Sequence, residues 1–312
     1  MGRNYLSWVL ATITLPSMKK AVRKTLAPRM INPKGGFNVV RKGVSNSYWG
    51  DLYHWLLSLS WPKFLALISL GYLVVNALFA LAYLAGGNGI ENARPGNFLD
   101  AFFFSVQTMA SIGYGAMFPK TTYAHVLVTI ESLIGLMGLA VGTGLMFARF
   151  SLPKARVTFS RVAVIAPYNG IPTLMFRVAN ERQNWILEAQ IRVTLVRNEI
   201  TVEGDMMRRF YDMQLLRSQT PLFALTWTVM HPIDENSPLY GVTLENMIED
   251  EMELVVTLTG LDETVSQIIH ARHSFIAGEI FWNMRFVDIL SKTREGRRTI
   301  DYSCFHDVIP IE

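Results

Sequence analysis

The spacing of apolar positions divides the chain into a membrane-like part and a strand-rich part. Two long apolar runs occupy 62–84 and 121–150, and each is long enough to cross about 30 Å of hydrocarbon. A shorter apolar run at 98–110 lies between them and cannot span. A short buried helix that leads into irregular backbone is tolerated at membrane depth only inside protein or along a water-filled path. The pattern predicts two transmembrane helices with a re-entrant pore helix.

From Val157 onwards, short apolar runs alternate with turn residues. In 190–196, Ile191, Val193 and Leu195 alternate with polar positions, which is typical of a half-buried strand. Further strand-like runs follow the same pattern at 162–166, 174–178, 222–230, 252–259, 265–273, 279–286 and 299–302. Many short strands at this spacing favour a β-sandwich of about 150 residues. The fold class is therefore α+β, with a soluble β-sandwich after the membrane part.

The segment before the first span is basic and partly amphipathic. Residues 1–48 hold nine Lys or Arg and no Asp or Glu, which favours the positive-inside rule over nucleic-acid binding. A signal peptide is disfavoured because the basic cluster follows the apolar start and no cleavage pattern is seen. Aromatic and apolar residues at helical spacing in 48–59 predict an amphipathic helix on the membrane surface, which Trp61-Pro62 separates from the first span. The alternative is an extension of that span.

These patterns give four segments: a basic cytoplasmic N-terminal segment (1–47), the surface helix (48–59), the transmembrane pore domain (60–150) and the cytoplasmic β-sandwich domain (151–312). Basic residues on both flanks of the spans place both termini inside, in a multi-pass protein of the cell inner membrane. The composition agrees: hydrophobic residues make up 50% and charged residues 17%. The single Cys304 excludes an internal disulfide framework. No nucleophile–base pair or phosphate loop stands out, so an enzyme is not expected.

The stretch 108–115, Thr-Met-Ala-Ser-Ile-Gly-Tyr-Gly, follows the pore helix directly. Potassium filters replace the hydration shell of the ion with rings of backbone carbonyls, and glycine tolerates the backbone that this requires. Tyr114 can pack outward against the aromatic pore-helix residues. A structural turn would not explain a short helix, Gly-Tyr-Gly and a second span in this order. We therefore expect a selectivity filter made of Ser111, Ile112, Gly113, Tyr114 and Gly115, with K+ held at Ser111, Ile112, Gly113 and Tyr114. One chain supplies one loop, so a closed ring implies a homotetramer.

The second span carries two further candidate features. Glu131 is its only acidic residue, and an ionisable group there is functional by default; we expect it behind the filter near Ser111, with a protonated structural role as the alternative. Gly135, with the glycines that follow it, can allow close helix packing or bending. Neither span carries Arg at three-residue intervals, so no voltage sensor is expected.

Longer motifs carry a resemblance to a known family. They are Asp51-Leu52-Tyr53 with Ser60-Trp61-Pro62, Asp100 to Val106, Gly144 to Phe150, His231 to Asp234 with Ser237 to Gly241, and Ala271-Arg-His with Glu279 to Trp282. With the filter, they make the chain from Tyr48 onwards resemble the prokaryotic inward rectifier potassium channels, the KirBac group. The resemblance implies a homotetramer with an immunoglobulin-like cytoplasmic domain, and K+ ions in the filter with no organic cofactor.

The resemblance also assigns roles. Phe147 matches the inner constriction, where four rings would block ions by dewetting; the alternative is plain packing. Gly135 matches the hinge, and Gln107 stands behind the filter where many relatives have Glu. The basic residues Arg149, Lys154 and Arg156 lie where anionic, phosphoinositide-like lipid headgroups are expected, or serve membrane topology alone. The segment His270–Gly278 resembles the loop that narrows the cytoplasmic pore.

The chain departs from the family at two further positions. Relatives usually have Thr in place of Ser111, which bears on inner-site occupancy and flux more than on selectivity. Leu139 stands where strong rectifiers carry an acid, so strong polyamine block is not expected. His270 and His273 have the spacing of metal ligands, but no third ligand is evident. Two alternatives stay open: a non-selective cation channel of the same architecture, and a membrane-anchored binding module with a vestigial pore.

Overall fold

The computed structural model describes residues 29–31, 36, 38, 43, 51–292 and 296–311. Most of the basic segment predicted for 1–47, and the first residues of the predicted surface helix, 48–50, lie outside the described residues. The chain divides into two compact units, one of residues 43–152 and one of residues 1–42 with 153–312. We describe each unit by itself.

Helices dominate the first unit. They are α1 (Leu52–Ser58), α2 (Trp61–Ala85), α3 (Phe98–Met109) and α4 (Thr122–Phe150), with a short pair of strands, β1 (Ile90–Glu91) and β2 (Phe118–Pro119). By length and composition, α2 and α4 can each cross a membrane, and α3 is apolar but too short. The expectation of two spanning helices and a re-entrant pore helix is confirmed.

Helix starts in this unit follow local sequence signals. Pro62 lies in the first turn of α2, where its missing N–H costs no hydrogen bond. The Asn97 side chain accepts from the Asp100 N–H at the start of α3, and the Thr121 side chain accepts from the Ala124 N–H at the start of α4. Such caps satisfy N–H groups that the helix leaves open. They fix where the short pore helix and the second span begin.

A small buried cluster packs α2, α3 and α4 together. It contains Ala80 and Tyr83 of α2, Ala101 and Phe104 of α3, and Ala124 of α4. The Tyr83 and Phe104 rings meet edge to face, with centroids 5.1 Å apart. Alanines at the contacts let the helix backbones approach closely, as is usual between helices in a membrane.

Two packed five-stranded β-sheets and two short two-stranded sheets form the second unit, which is an immunoglobulin-like β-sandwich as expected. Its strands are β3 (Val157–Phe159), β4 (Ala163–Tyr168), β5 (Ile171–Asn180), β6 (Ile186–Ile200), β7 (Met206–Asp212), β8 (Gln219–Phe223), β9 (Thr226–Pro232), β10 (Glu253–Asp262), β11 (Gln267–Ile276), β12 (Ile280–Trp282), β13 (Met284–Phe286), β14 (Leu290–Lys292), β15 (Arg298–Ile300) and β16 (Val308–Pro310); the short helix α5 (Leu244–Glu249) precedes β10.

Strand order explains how the core is closed. One sheet runs β11-β10-β6-β7 with β8 also paired to β6, and the other runs β12-β4-β5-β3 with β9 also paired to β5. Alternate residues of β6, including Ile191, Val193 and Leu195, are buried between the sheets against Phe176 and Val229. The predicted alternation in 190–196 is thus confirmed.

Two sequence-based strands are wrong in extent. The run 222–230 is divided between β8 and β9, because β8 pairs with β6 in one sheet and β9 with β5 in the other. The run 279–286 begins at the last residue of a 3-10 turn, Ala277–Glu279, and then holds β12 and β13, which separate at Asn283, a residue with φ 53°. In both cases, the chain changes its pairing partner inside one apolar run, which periodicity does not reveal.

Candidate functional site

The backbone after the pore helix has an alternating conformation. Ser111, Gly113 and Gly115 have φ values of 54°, 63° and 80°, whereas Ile112 and Tyr114 between them keep negative φ. Alternation of right- and left-handed residues turns successive N–H groups to one side of the chain, which leaves the carbonyl groups on the opposite side. Glycine adopts the left-handed region at little cost, whereas a serine there is strained. The five expected filter residues therefore form a strip whose alternating φ values suit a row of carbonyl groups.

The C-terminal end of α3 holds the start of this strip. The Ser111 N–H donates to the Thr108 carbonyl at 3.1 Å, and the Ile112 N–H donates to the Gln107 carbonyl at 2.8 Å. The Gln107 backbone thus contacts the expected filter residue Ile112 directly. These bonds use carbonyls that a helix end otherwise leaves open, so the end of α3 fixes the direction in which the chain leaves at residues 111 and 112.

The segment between α2 and α3 is bonded to the residues that follow Gly115. Asn92 Nδ2 donates to the Ala116 carbonyl at 2.9 Å, and Glu91 pairs with Lys120 at 2.9 Å. Arg94 forms a two-pronged ion pair with Asp100, its Nε and Nη2 lying 2.9 and 2.8 Å from the two carboxylate oxygens. Paired guanidinium–carboxylate contacts of this kind fix orientation as well as distance. The loop is therefore tied both to the first turn of α3 and to the segment after the filter.

Tyr114 does not pack on its own pore helix. Its side chain is 74% exposed within the single chain, and Ile112 beside it is also exposed. The expected contact with aromatic residues of α3 is therefore not made inside one chain. A second chain would have to supply it.

Glu131 is fully buried and meets neighbours that the sequence did not single out. The Tyr83 hydroxyl donates to its Oε2 at 2.6 Å, and Ser105 of α3 contacts its Oε1. Ser105 in turn lies 2.9 Å from Asn76 Oδ1. The carboxyl group thus meets the middle of the pore helix, and its hydrogen bonds go to Tyr83 and Ser105 rather than to Ser111. Besides Glu131 itself, the polar Asn76 inside the apolar run 62–84 is a sequence signal for this network.

Glycines of α4 differ in their surroundings. A Cβ added to Gly135 would lie 2.5 Å from the Met109 carbonyl oxygen, whereas one added to Gly138, Gly142 or Gly144 would meet nothing within 4 Å in the same chain. Close approach of α4 to the end of α3 therefore requires glycine at 135. The sequence leaves two roles open for Gly135, close helix packing and bending. This contact matches the packing role.

Phe147 and Leu139 are among the most exposed apolar side chains of α4. Phe147 is 73% exposed and Leu139 is 69% exposed within the single chain. Neither side chain is held by the rest of its own unit. Each is free to face a second chain, lipid or a pore.

Arg149 is buried, unlike the other two candidate lipid ligands. Its Nη1 and Nη2 donate to the carbonyls of Leu56 and Leu59 at 2.6 Å each, and its guanidinium lies over the rings of Trp61 and Phe64. The last carbonyls of α1 are thereby satisfied by a cation, which also complements the dipole of that helix. Lys154 and Arg156 are exposed, with Arg156 Nη1 3.9 Å from a Glu181 carboxylate oxygen.

The segment His270–Gly278 is not a loop. Most of it belongs to β11, which pairs with β10 residue for residue over its whole length. His273 is buried and stacked on Phe159, whereas His270 is exposed. No group of three His, Cys, Asp or Glu side chains in the described part of the chain could hold a metal ion. The expectation of a loop here is wrong because strand pairing extends through it.

One histidine motif of the β-sandwich forms a closed network. His231 is buried, its Nδ1 donates to the Gln214 carbonyl at 2.6 Å, and its Nε2 accepts from the Ser237 hydroxyl at 2.7 Å. The Leu239 N–H donates to the same hydroxyl oxygen. Burial lowers the pKa of His231, and the Gln214 carbonyl and Asp234 oppose this shift. The motifs at 231–234 and 237–241 are thus joined by a neutral imidazole.

Comparison with known proteins matches both units. Residues 157–312 match the family model described as "Inward rectifier potassium channel C-terminal domain", and residues 67–151 match the model described as "Ion channel". The chain is 51% identical over 292 residues to the inward rectifier potassium channel Kirbac3.1 of Paramagnetospirillum magnetotacticum, covering 93% of this chain and 98% of that protein. It is 30% identical to the ATP-sensitive inward rectifier potassium channel 12 of Gallus gallus, covering 91% and 72%, and 29% identical to channel 8 of Rattus norvegicus, covering 97% and 80%.

Proposed function

Because this chain belongs to the inward rectifier potassium channel family, we propose that four copies of it form a pore that passes K+ passively through Ser111, Ile112, Gly113, Tyr114 and Gly115. The observation that carries this proposal is the alternating backbone, with left-handed residues at 111, 113 and 115. A carbonyl ring replaces water around K+ only if several chains contribute a strip to one axis. The proposed bound ion is K+ at Ser111, Ile112, Gly113 and Tyr114, and no organic cofactor is proposed.

Exposed residues of the membrane unit support the homotetramer. Tyr114, Leu139 and Phe147 have large side chains without partners inside the single chain. Packing Tyr114 against the pore helix of a neighbouring copy would remove one of these exposed rings from water and brace the filter. A closed ring of identical chains also gives each of them the same environment.

We place the gate at Phe147 and keep Gly135 as its hinge. Four phenyl rings near the axis at the end of α4 would close the pore by excluding water. Gly135 packs against Met109 at the end of the pore helix, so bending there would also move the start of the filter. Gln107 and Glu131 are proposed as filter supports.

Anionic, phosphoinositide-like lipids are the proposed modulators. Lys154 and Arg156 are exposed after the end of α4, where each basic side chain near an anionic surface contributes about 1 kcal/mol. The guanidinium of Arg149 is already bonded to Leu56 and Leu59. Its proposed part in lipid response is to carry movement of the surface helix to α4.

The proposed topology follows the positive-inside rule. In this proposal the protein lies in the cell inner membrane, and both of its termini are in the cytoplasm. The functional segments are those expected from the sequence: 1–47, the surface helix 48–59, the pore domain 60–150 and the cytoplasmic domain 151–312.

Rubidium uptake into liposomes tests the function. The purified full-length chain should take up Rb+ in a barium-sensitive way, and K+/Na+ gradients should give a reversal potential close to that of K+. Gly113→Ala should abolish selective uptake, because a Cβ at φ 63° is strained by about 1–2 kcal/mol in each of four chains. Gly71→Ala is the matched control, since a Cβ there meets nothing within 4 Å.

Two outcomes would contradict the proposal. Barium-sensitive flux with equal permeability to Na+ and K+ would indicate the non-selective cation channel. Absence of flux from a well-folded tetramer, at every lipid composition tried, would favour the membrane-anchored binding module.

A further inference from the structure

A buried polar network connects the pore helix to both spanning helices. Asn76 and Tyr83 of α2, Ser105 of α3 and Glu131 of α4 are each no more than 2% exposed. We call these four residues the pore-helix network. Such groups are expensive to bury in a membrane unless each is hydrogen-bonded, so the position of every proton in the network matters.

The orientation of the Asn76 amide is fixed by its other partners. Its Nδ2 donates to the Tyr72 carbonyl at 2.8 Å and lies 3.4 Å from Met109 Sδ. The atom that faces Ser105 Oγ, at 2.9 Å, is therefore the amide oxygen, Oδ1. Turning the amide over would place that oxygen against the Tyr72 carbonyl, where two acceptors would repel each other. Asn76 thus accepts from Ser105 and donates to α2.

The single hydroxyl proton of Ser105 then determines the protonation state of Glu131. Ser105 has one hydroxyl proton but touches two oxygens, Asn76 Oδ1 and Glu131 Oε1. If that proton served an ionised Glu131, the Ser105 oxygen and the Asn76 oxygen would face each other as two acceptors. If Glu131 holds a proton of its own, every contact has one donor and one acceptor.

The resulting chain of hydrogen bonds has a single direction. Tyr83 donates to Glu131 Oε2, Glu131 donates from Oε1 to Ser105, Ser105 donates to Asn76, and Asn76 donates to the Tyr72 carbonyl. No Lys, Arg or His among the described residues forms an ion pair with Glu131. A buried carboxylate without a cation is avoided in proteins by neutralisation, which agrees with the proton count.

We propose that Glu131 is a neutral carboxylic acid that donates to Ser105, and that through this bond it acts as a positioning residue for the selectivity filter. The positioning role rests on the proposed function. Ser105 lies in the middle of α3, whose last carbonyls hold Ser111 and Ile112. The network therefore holds the helix whose end fixes the direction in which the chain leaves at residues 111 and 112.

Infrared difference spectroscopy tests the protonation state without ion flux. The full-length channel in lipid vesicles is compared with Glu131→Gln at neutral pH. We expect wild type to show a carboxylic acid C=O stretch that is absent from the variant. Glu249→Gln removes an exposed carboxylate of α5 and should leave this band unchanged. A difference spectrum that shows only the loss of carboxylate bands would overturn the inference.

Rescue by the conservative variant tests the positioning role. A glutamine amide can donate to Ser105 and accept from Tyr83, so Glu131→Gln should keep Rb+ uptake within about twofold of wild type, whereas Glu131→Ala and Ser105→Ala should lose about tenfold or more because buried partners are left unpaired. If Gln is as damaging as Ala in a tetramer of normal size, the proton is not what Glu131 contributes. A channel that shows the acid band but conducts no Rb+ would refute the proposed function and leave the protonation assignment standing.

Discussion

Ser111 combines a left-handed backbone, φ 54°, with a side chain. Such a conformation costs an L-residue about 1–2 kcal/mol and is kept only where the surroundings impose it. Its N–H is held by Thr108 and the next N–H by Gln107, which supply that constraint. Relatives that carry threonine here would place a second branch on Cβ at the same φ. Serine, which has one branch fewer on Cβ than threonine, thus reduces crowding at this position and keeps a hydroxyl group.

Single residues of the site were predictable to different degrees. Gly113 and Gly115 could be predicted because the positive φ that their positions need is a backbone conformation that glycine adopts at little cost. Tyr83 and Ser105 were missed because a tyrosine at the end of an apolar span and a serine inside a pore helix have many ordinary uses. Only the distance between Ser105 and Glu131 reveals their partnership, and residues 26 positions apart give no periodic signal.

Phe147→Ala is a prediction at the scale of one side chain. Removing four phenyl rings from the proposed constriction should let water enter it, so resting Rb+ uptake should rise by roughly an order of magnitude. Phe150→Ala, also in the last turn of α4 and similarly exposed, is the matched control and should change uptake little. Equal uptake by Phe147→Ala and wild type in vesicles of the same channel density would contradict the gate.

At the scale of elements, Arg149 joins α4 to α1. Its guanidinium reaches two carbonyls at once, which the single ammonium of lysine cannot reproduce. Arg149→Lys should therefore lower the free energy of unfolding of the membrane unit by about 2 kcal/mol, seen as a lower melting temperature of the purified channel. The exposed Arg156→Lys, with the same change in chemistry, should stay within about 0.5 kcal/mol of wild type.

The melting temperature of the Arg149→Lys channel separates two roles for Arg149. If Arg149 only binds lipid headgroups, the variant channel should melt at the wild-type temperature in detergent and lose its response to lipid. If Arg149 joins the helices, the variant channel should melt at a lower temperature whatever lipid is present. Unchanged melting of Arg149→Lys in lipid-free detergent would contradict the joining role.

Helices and strands were predicted well where one hydrophobic pattern along the sequence corresponds to one packing partner. Both spans, the pore helix and the buried face of β6 follow from length and periodicity. The sequence predicts one strand at 222–230 because residues typical of β-strands continue through the run. In the structure the chain passes from one sheet to the other within it. The segment 270–278 was expected to be a loop by resemblance, yet its alternating burial matches a strand paired with β10. Pairing partners are non-local, so local sequence cannot assign them.

At the scale of the whole molecule, one unit combines a buried polar network with a small apolar cluster, and the other has a large apolar core. The division into spans and sandwich was visible in hydropathy alone, since a bilayer and water select different patterns. The assembly of four chains was inferred from the single filter strip and remains a proposal. Large exposed side chains on α4 are expected of a subunit whose neighbours complete its surroundings.

The β-sandwich should respond to acid through His231. Burial lowers the pKa of this imidazole below its ordinary value, while the Gln214 carbonyl and Asp234 oppose the shift. The unfolded chain therefore binds a proton at higher pH than the folded domain does. Stability contributed by neutral His231 is complete above about pH 6.5 and is lost as the pH falls below that value, by up to about 1.4 kcal/mol per pH unit until the lowered pKa is reached.

Thermal melting of the full-length channel between about pH 7.5 and about pH 5.5 measures this loss. His231→Gln should start from a lower melting temperature, because the hydrogen bonds to Gln214 and Ser237 are disturbed, and should lose less on acidification than wild type. His270→Gln removes an exposed imidazole and should keep the wild-type pH dependence. If His231→Gln and wild type lose equal stability over this range, the acid response belongs to other groups of the domain, and the neutral imidazole joining 231–234 to 237–241 does not govern it.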